Sequence, residues 1–384
     1  MSSPAKTIAF RPRLQGADEC LRPTRAEVDL SAVAHNYHVV RDAAGGARVL
    51  AVIKADAYGH GVVPVAGRLQ AEGAGGFGVA LAEEALELRE AGITSEIVVL
   101  NGVYGGAQSA VLDAGLTPVV YDLAEVHAFH RAARGRPFAV HVKVDTGMAR
   151  LGVQVDVLER FLADLAGYRN VRVDGVMTHL ACADSDDDFT AEQLLRFERA
   201  LAMFRDAGHR PRVVHAANSA ATFRHPRARF DMVRPGLALF GYPGAPDVDA
   251  DLRPAMQLRT EIISLRELPE GATVGYHGSY RVDRPSRIAT VPVGYGDGLM
   301  RAHSNRGSVL VGGRRCPIVG AVSMDLTAVD VTDVPGAALG DEVVLLGAQG
   351  PARIGAGELA RAAGTIPYEV LTNVSRRVPR FYKS

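Results

Sequence analysis

The sequence lacks the features that mark several classes of protein. No apolar run approaches the roughly 20 residues that span a bilayer, and the start, up to Arg13, has no signal-type apolar segment. Neither charge sign is in excess, because Lys plus Arg and Asp plus Glu each total 43 in 384 residues. A chain without a basic excess lacks the electrostatic pattern of a nucleic-acid-binding protein. We therefore expect a cytoplasmic protein that acts on a small molecule, with no nucleic-acid or membrane partner.

Cysteine is scarce as well. Cys20, Cys182 and Cys316 are odd in number and far apart, without a Cys-x-x-Cys pair. This spacing does not fit a secreted disulfide scaffold, so we expect free thiols. The acidic run Asp184–Asp188 is interpreted as a solvated loop, with a metal site as the alternative. No bound metal is predicted.

Short apolar runs alternate with longer stretches rich in Ala, Leu and Glu through the first part of the chain. Apolar strands of this kind are buried on both faces, as in a parallel sheet that helices cover. Eight such units predict a (β/α)₈ barrel of the TIM type, with a doubly wound open sheet as the alternative. The eight runs are Val49–Ile53, Gly76–Ala80, Ile97–Leu100, Pro118–Tyr121, Ala139–Val144, Val173–Thr178, Val213–His215 and Val233–Phe240, and helix-like segments such as Leu81–Ala91 and Glu192–Ala207 lie between them.

From about Leu258 the pattern changes to short strands between Gly and Pro turns, which leaves little room for crossover helices. The predicted strands are Leu258–Leu265, Arg287–Val293, Ser308–Val311, Leu326–Val331 and Glu342–Leu346, and one helix-like segment, Gly357–Ala363, follows. The segment Tyr242–Pro254 has the composition of a linker between domains. We predict an N-terminal extension over residues 1–24, an α/β barrel over 25–250 and a β-rich domain over 251–384.

Polar residues follow several of the predicted barrel strands. In βα barrels the active site gathers at the carboxyl ends of the strands, so these side chains are expected to converge on one mouth. They are Lys54 after the first strand, Lys143 and Arg150 on and after the fifth, His179 after the sixth, Asn218 and Ser219 after the seventh, and Arg234 and Gly236 at the eighth.

Lys54 is the candidate nucleophile of this set. A lysine at the end of a buried strand is costly to keep charged, so its pKa falls and its amine becomes reactive. Near Ser219 and Gly236, a hydroxyl donor and close backbone approach are suited to a phosphate group. A reactive amine together with a phosphate site indicates pyridoxal phosphate. For each residue alone, an ordinary surface or loop position is the alternative.

The run from Lys54 to Gly61, Lys-Ala-Asp-Ala-Tyr-Gly-His-Gly, resembles the cofactor-lysine signature of the alanine racemases. The resemblance covers essentially everything after residue 24, and it implies a homodimer whose active sites are completed by the partner's β-rich domain. Further segments that look like family motifs in family order are Lys143–Gly152, Met177–His179, His215–Ser219, Val233–Gly236, Gly275–Tyr276, Pro292–Gly298, Ser323–Asp325, Gly364–Glu369 and Ser375–Pro379.

The resemblance also implies roles for individual residues. Lys54 holds the cofactor aldehyde, Arg234 faces the pyridine nitrogen and His179 lies by the ring. Lys143 is a candidate for carbamylation, with an unmodified surface lysine as the alternative. Around the cofactor phosphate lie Tyr58, Asn218, Ser219, Gly236 and Tyr368, whereas Arg150 binds the substrate carboxylate side and Tyr276, Tyr295 and Met324 come from the partner subunit.

Racemisation needs two acid/base groups on opposite faces of the substrate Cα, and Lys54 and Tyr276 fit this requirement. The expected activity is the interconversion of L- and D-alanine, which supplies D-alanine for peptidoglycan. Three residues depart from the family pattern: Ala149 and His277 stand where Gly is usual, and Ala321 stands where Arg is common. A histidine beside Tyr276 leaves open a racemase of broader or different specificity, such as serine or lysine. A non-catalytic pyridoxal-phosphate carrier and an amino-acid decarboxylase are the remaining alternatives.

Overall fold

The structure is a computed structural model that describes residues 21–384. The prediction of a free thiol at Cys20 lies outside these residues, whereas Cys182 and Cys316 are free. The described chain divides into two compact units. The barrel unit comprises residues 28–256, 367–372 and 382–384, and the β unit comprises residues 21–27, 257–366 and 373–381. The predicted domain limits near residues 24 and 250 stay predictions.

Eight parallel strands of the barrel unit form one sheet, which confirms the predicted barrel. The strands up to residue 233 are β1 (Arg25–Asp29), β2 (Arg48–Val52), β3 (Gly76–Val79), β4 (Glu96–Val99), β5 (Thr117–Val120), β6 (Phe138–Asp145), β7 (Val153–Gln154), β8 (Val171–Met177), β9 (Val213–His215) and β10 (Met232–Val233). Their order in the sheet is β10-β2-β3-β4-β5-β6-β8-β9. The backbone N–H of Asp231 donates to the carbonyl oxygen of Val214 at 3.0 Å, so the two end strands almost close the barrel.

Helices connect these strands, and their apolar spacing explains how they cover the sheet. In α7, Leu158, Phe161, Leu162 and Leu165 are buried, which is the i, i+3, i+4, i+7 pattern of one helix face. The helices of this part are α1 (Leu30–Ala43), α2 (Lys54–Tyr58), α3 (Val62–Ala71), α4 (Ala82–Glu90), α5 (Gln108–Asp113), α6 (Leu123–Ala133), α7 (Leu158–Leu165), α8 (Asp187–Asp206) and α9 (Ser219–Arg224).

Inside the barrel, side chains from six of the eight strands pack into one buried cluster, so the interior is a filled core rather than a channel. The cluster consists of Leu50, Val98, Val119, Met177, Val213 and Met232. With the interior filled, the cavity for a ligand must lie at an end of the strands.

The β unit consists mainly of antiparallel sheet, which confirms the predicted β-rich domain. The remaining strands are β11 (Met256–Glu261), β12 (Ser264–Leu268), β13 (Thr273–Val274), β14 (Tyr280–Arg281), β15 (Ser286–Val291), β16 (Ser308–Val311), β17 (Arg314–Pro317), β18 (Thr327–Asp330), β19 (Glu342–Gln349), β20 (Ala352–Ile354) and β21 (Arg380–Lys383), and the helices are α10 (Ala356–Ala363) and α11 (Pro367–Thr372). The largest sheet has the order β17-β16-β19-β11-β1-β21, and a second sheet has the order β12-β15-β18.

Two of the predicted strands are wrong in extent. The eighth barrel strand ends at Val233, and Leu237–Phe240 forms a 3₁₀ helix, because Pro235 and Gly236 interrupt the apolar run. The predicted strand Leu258–Leu265 is two strands that belong to different sheets, since β11 pairs with β19 and β12 pairs with β15. The apolar residue Ile263 at the break is 47% exposed, so its hydrophobicity did not indicate burial.

The acidic run Asp184–Asp188 is also only partly a loop. Its last two residues begin α8, and the Asp186 carboxylate accepts a hydrogen bond from the backbone N–H of Phe189 at 2.9 Å. Acidic side chains at a helix N-terminus are stabilised by the helix dipole, which accounts for this cluster structurally. Among residues 21–384, no group of His, Cys, Asp and Glu is arranged to hold a metal ion. Within the same range, no helix has the length and hydrophobicity needed to cross a bilayer.

Candidate active site

Lys54 follows β2 at the carboxyl edge of the barrel, where barrels of this kind gather their functional side chains. The lysine lines an open cavity, whose empty space together with the solvent at its mouth is about 640 Å³. Burial, and then the positive charge of Arg150, holds the pKa of the Lys54 amine below its ordinary value. A lowered pKa increases the neutral fraction of the amine, which is the nucleophilic and basic form.

The residues after Lys54 form an uncommon left-handed turn. Four consecutive non-glycine residues, Ala55 to Tyr58, have φ values between 52° and 54°. For L-residues this conformation costs roughly 1–2 kcal/mol each, because Cβ approaches the following carbonyl oxygen. The carboxylate of Asp56 accepts a hydrogen bond from the backbone N–H of Val62 at 2.8 Å, which fixes the exit of the turn. The turn carries Tyr58 to the same cavity that Lys54 lines.

Arg234 is buried, lines the cavity and is held through both of its terminal nitrogens. Its Nη1 lies 3.1 Å from Nδ1 of His215, and its Nη2 lies 3.2 Å from Nδ1 of His179. Its Nη2 also donates to the carbonyl oxygens of Thr178 and Ala216. Because a guanidinium group only donates, both Nδ1 atoms must accept, and both rings carry their proton on Nε2. Burial, and then Arg234, holds the pKa of both histidines well below the ordinary value, so both are neutral.

A third histidine, His141, extends this chain of hydrogen bonds into the barrel core. Nε2 of His215 donates to Nδ1 of His141 at 3.0 Å, and burial lowers the pKa of His141 to about 4. Gly175 leaves the room for this ring, because a Cβ there would lie 2.5 Å from it. Burial lowers the pKa of Arg234 to about 9, so the guanidinium stays charged near neutral pH. The cluster of three neutral rings therefore supports one fixed positive charge.

Hydroxyl and backbone groups also line the cavity. The Ser219 Oγ accepts hydrogen bonds from the backbone N–H groups of Gly236 at 2.9 Å and Ala238 at 3.2 Å, so its own proton can be donated to a ligand. Gly236 must lack a side chain, because a Cβ there would lie 2.2 Å from the hydroxyl of Tyr58. The ring of Tyr368 lies 5.9 Å from that of Tyr58. These donors suit an oxyanion such as phosphate.

The cavity is strongly electropositive. Four cationic side chains line it, whereas none of the lining residues is Asp or Glu; the cations are Lys54, Lys143, Arg150 and Arg234. Lys143 is only 4% exposed, so the alternative of a surface lysine is wrong. Burial, followed by Arg234 and Arg150, lowers the pKa of Lys143 to about 8. Such a site favours bound anions, including phosphate and carboxylate groups.

Most of the predicted site residues meet at this cavity. Those that line it are Lys54, Tyr58, Lys143, Arg150, His179, Asn218, Ser219, Arg234, Gly236 and Tyr368. Further lining residues that the sequence analysis missed are Val52, Leu100, Asn101, Met177 and Leu237. Asn101 follows β4, so the rule that located Lys54 and His179 at strand ends also applies to it.

Tyr276, Tyr295 and Met324 belong to the β unit and are not among the residues that line the cavity. All three are largely exposed, with Tyr276 the most exposed at 66%. The backbone N–H of Tyr295 donates to the carbonyl oxygen of Ser323 at 3.0 Å, so Tyr295 and Met324 lie on adjoining loops. Their predicted roles concern a second subunit and stay predictions.

Two departures from the family pattern occupy left-handed positions. Ala149 has φ 55° and His277 has φ 62°, which are values that glycine adopts without strain. This explains why glycine is usual there in the family that the sequence resembles. The third departure, Ala321, lies beside Gly275, since a Cβ on that glycine would lie 3.1 Å from the Ala321 nitrogen.

Comparison with known proteins gives a consistent result. Residues 28–243 match the alanine racemase N-terminal domain, and residues 255–382 match the alanine racemase C-terminal domain. The chain is 49% identical over 378 residues to the alanine racemase of Sorangium cellulosum (strain So ce56), covering 94% of this chain and 100% of that protein. Its fold is similar to that of the alanine racemase from Streptomyces coelicolor A3(2), with a TM-score of 0.91, 38% identity and coverage of 96% and 99% of the two chains. It is also similar to the alanine racemase from Bartonella henselae with covalently bound pyridoxal phosphate, with a TM-score of 0.87, 30% identity and coverage of 94% and 99%.

Proposed function

This chain belongs to the alanine racemase family of isomerases, and we propose that it interconverts L- and D-alanine with Lys54 and Tyr276 as its two acid/base residues. The observation that carries the proposal is the barrel cavity itself, in which the partly buried Lys54 lies among cations and hydroxyl donors. By the same family membership we propose a cytoplasmic enzyme that supplies D-alanine for peptidoglycan.

Pyridoxal phosphate is the proposed cofactor, and the donor set of the cavity fits it. Lys54 would hold its aldehyde, and Arg234 and His179 would lie at its ring. A Cβ at residue 236 would clash with the hydroxyl of Tyr58, which is one of the proposed donors to the cofactor's phosphate. The proposed phosphate-binding residues are Tyr58, Asn218, Ser219, Gly236 and Tyr368. When bound, this cofactor withdraws electrons from the substrate Cα and so weakens its C–H bond.

Racemisation requires that a proton leave one face of the substrate Cα and that another reach the opposite face. Lys54 would serve one face, because its lowered pKa increases the neutral fraction of the amine, which is the form able to accept a proton. Tyr276 would serve the other face with its phenol. Two different groups on two faces allow either enantiomer to be the substrate.

Arg234 would tune the cofactor through hydrogen bonding. Since guanidinium only donates and stays charged, it would keep the pyridine nitrogen unprotonated and acting as an acceptor. His179 and His215 already accept from Arg234 and hold its side chain in one orientation. By holding the pyridine nitrogen as an acceptor, Arg234 would restrict side reactions such as transamination.

Arg150 would bind the carboxylate of the substrate, with Tyr295 and Met324 of the partner subunit beside it. Lys143 would carry a carbamate, whose negative charge would orient Arg150. This modification is favoured by the neutral fraction of the Lys143 amine, because its pKa is lowered to about 8. It would also reduce the excess of positive charge in the cavity.

The proposed assembly is a homodimer in which each active site combines the barrel unit of one subunit with the β unit of the other. Support comes from the exposure of Tyr276, Tyr295 and Met324 on the β unit, outside the set of residues that line the cavity. A catalytic tyrosine that is 66% exposed needs a partner surface to exclude water from the reaction.

A direct assay tests the proposal. Purified protein with pyridoxal phosphate is given L-alanine, L-serine and L-lysine in turn, and the D-enantiomer and evolved carbon dioxide are both measured. We expect D-alanine and no carbon dioxide. Faster conversion of serine or lysine would indicate the racemase of different specificity, carbon dioxide would indicate a decarboxylase, and a cofactor-loaded protein that converts none would indicate a carrier.

A further inference from the structure

Glu84 joins the turn that follows Lys54 to the start of helix α4. Its Oε1 accepts a hydrogen bond from the backbone N–H of Ala55 at 2.6 Å. Its Oε2 accepts from the backbone N–H groups of Ala80 at 2.8 Å and Leu81 at 3.1 Å. One carboxylate therefore connects the first left-handed residue after Lys54 with the segment between β3 and α4.

The position of this contact matters because the turn is strained. Ala55 is the first of four consecutive non-glycine residues with positive φ. Strained backbone of this kind persists only where the surroundings hold it in place. Asp56 holds the exit of the turn through Val62, and Glu84 holds its entrance through Ala55. A charged acceptor makes a stronger hydrogen bond to a backbone N–H than a neutral one does.

Glu84 also acts electrostatically on both side chains that the turn carries. Its negative charge raises the pKa of the Lys54 amine, opposing burial and Arg150, which lower it. It also raises the pKa of Tyr58, after burial and Tyr368. Because no Asp or Glu lines the cavity itself, this acid just outside it partly offsets the repulsion between the cavity's cations.

We propose that Glu84 is a positioning residue for the cofactor lysine: its carboxylate holds Ala55–Tyr58 in the left-handed conformation that directs Lys54 and Tyr58 into one cavity. The proposal rests on the proposed function, since it takes pyridoxal phosphate as the group that spans these two residues. Glu84 would not touch the substrate. Its effect would be to set the distance between the amine that binds the aldehyde and the hydroxyl that binds the phosphate.

The alternative role for Glu84 is purely structural, as the N-terminal cap of α4. The variant Glu84→Gln distinguishes the positioning role from the capping role, and Glu83→Gln is the matched control. The control removes the same charge from the same turn of α4, but Glu83 is exposed and is not among the groups that shift the pKa of Lys54. The side-chain amide that Glu84→Gln introduces keeps one oxygen acceptor, whereas its NH₂ group cannot accept from the second set of backbone donors.

The experiment measures cofactor capture rather than turnover. Apoprotein is titrated with pyridoxal phosphate and, separately, with pyridoxal, which lacks the phosphate. Covalent capture on Lys54 is trapped with borohydride and quantified by mass spectrometry between pH 6 and 9. We expect the dissociation constant of Glu84→Gln for pyridoxal phosphate to rise about tenfold or more, the factor given by loss of one charge-assisted hydrogen bond. The rise for pyridoxal should be smaller, and the pH midpoint of capture should fall because the Lys54 amine loses its nearby negative charge.

A cap alone would lower the melting temperature of Glu84→Gln and leave the ratio of the two affinities at the wild-type value, although the lost charge would still lower the pH midpoint; that unchanged ratio would overturn the proposal. Glu83→Gln should match the wild type in every measurement. If Glu84→Gln does not fold, Glu84→Asp replaces it, since the shorter side chain keeps the charge but cannot bridge both sets of donors. If the wild type captures no pyridoxal phosphate on Lys54, the proposed function fails instead, so the two failures are distinct.

Discussion

At the scale of single residues, the chain offers few amines that could hold an aldehyde. It contains four lysines, Lys6, Lys54, Lys143 and Lys383. Lys54 and Lys143 both line the cavity, and burial lowers the pKa of each amine. The lysine that binds the cofactor can therefore be identified by testing only a few residues.

We predict that Lys54→Ala abolishes covalent attachment of pyridoxal phosphate, because no other amine follows β2 at the start of the left-handed turn. The wild type should be yellow, with absorption at about 420 nm from the lysine-bound cofactor. Borohydride reduction followed by peptide mass spectrometry locates the adduct. Lys383→Ala serves as the control and should retain the full adduct. A wild-type adduct on Lys143 would contradict the assignment.

A second prediction concerns Lys143. Carbon dioxide reacts with a neutral amine, and a pKa of about 8 leaves a large neutral fraction at mildly alkaline pH. We expect protein equilibrated with ¹³C-bicarbonate at about pH 8 to show a carbamate carbonyl signal by NMR. The signal should be absent from Lys143→Gln and present in Lys383→Gln. At constant dissolved carbon dioxide it should weaken as the pH falls below the pKa, since the protonated amine does not react. An equal signal in Lys143→Gln would place the carbamate elsewhere.

The sequence predicted most of the residues that line the cavity, because polar side chains at the carboxyl ends of barrel strands are expected at the active site. It could not predict which of them pair. The orientation of Arg234 depends on His215 and His141, which lie 19 and 93 residues away along the chain and meet it only in the closed barrel. Glu84 was missed for a similar reason. An acid near the start of a helix is ordinary in sequence, and its contact with Ala55 arises only once β2 and β3 are adjacent.

At the scale of elements, apolar runs located the barrel strands well where the run ended in a polar residue or a turn. They did not locate strands correctly where buried apolar residues belong to another kind of element. Leu237–Phe240 is fully buried, yet in a 3₁₀ helix rather than in a strand. Hydrophobicity indicates that a segment is buried but not which secondary structure it adopts. Here Pro235 and Gly236 end the strand, and a 3₁₀ helix follows. The helix Pro367–Thr372 was missed because it is a six-residue element with no long apolar period.

One loop at the barrel mouth depends on an acid from helix α6. The residues after β4 include Asn101, which lines the cavity, and the backbone N–H of Val103 donates to Oε1 of Glu125 in α6 at 2.8 Å. The other carboxylate oxygen, Oε2, is buried and has no hydrogen-bond partner within the described chain. Burial raises the pKa of Glu125 to about 7, so near neutral pH the buried group is only partly ionised.

This loop gives a prediction for stability as a function of pH. With a folded pKa of about 7 above an ordinary value of about 4.3, Glu125 stays protonated in the folded protein while it ionises in the unfolded chain. Folding therefore loses stability as the pH rises from about 4.3 to 7, and the full cost remains above 7. Glu125→Gln keeps an acceptor for Val103 but does not ionise. Its melting temperature, measured from pH 5 to 8, should fall less than that of the wild type. A parallel fall in both proteins would contradict the buried, raised pKa, and the exposed Glu90→Gln is the control.

At the scale of the whole molecule, the two proposed acid/base residues lie in different compact units. Lys54 lies in the barrel unit and Tyr276 in the β unit, and each is held by local structure of its own. The proposed two-fold dimer would place each subunit's β unit against its partner's barrel unit, so that the same interface occurs twice. The proposed mechanism requires this arrangement, because Lys54 and Tyr276 must act on opposite faces of one substrate.

Mixing two inactive variants tests whether Tyr276 acts across the interface. Lys54→Ala and Tyr276→Phe subunits are each expected to form nearly inactive homodimers. They are unfolded and refolded together, so that heterodimers form, and differential tags verify the heterodimers. If the tyrosine acts in trans, one site of each heterodimer carries both lesions while the other pairs an intact Lys54 with an intact Tyr276. Random two-fold assembly then predicts about a quarter of the wild-type activity per total site. If Tyr276 acted within its own subunit, every site would carry one lesion, and verified heterodimers without recovered activity would rule out the shared site even if the racemase activity were established.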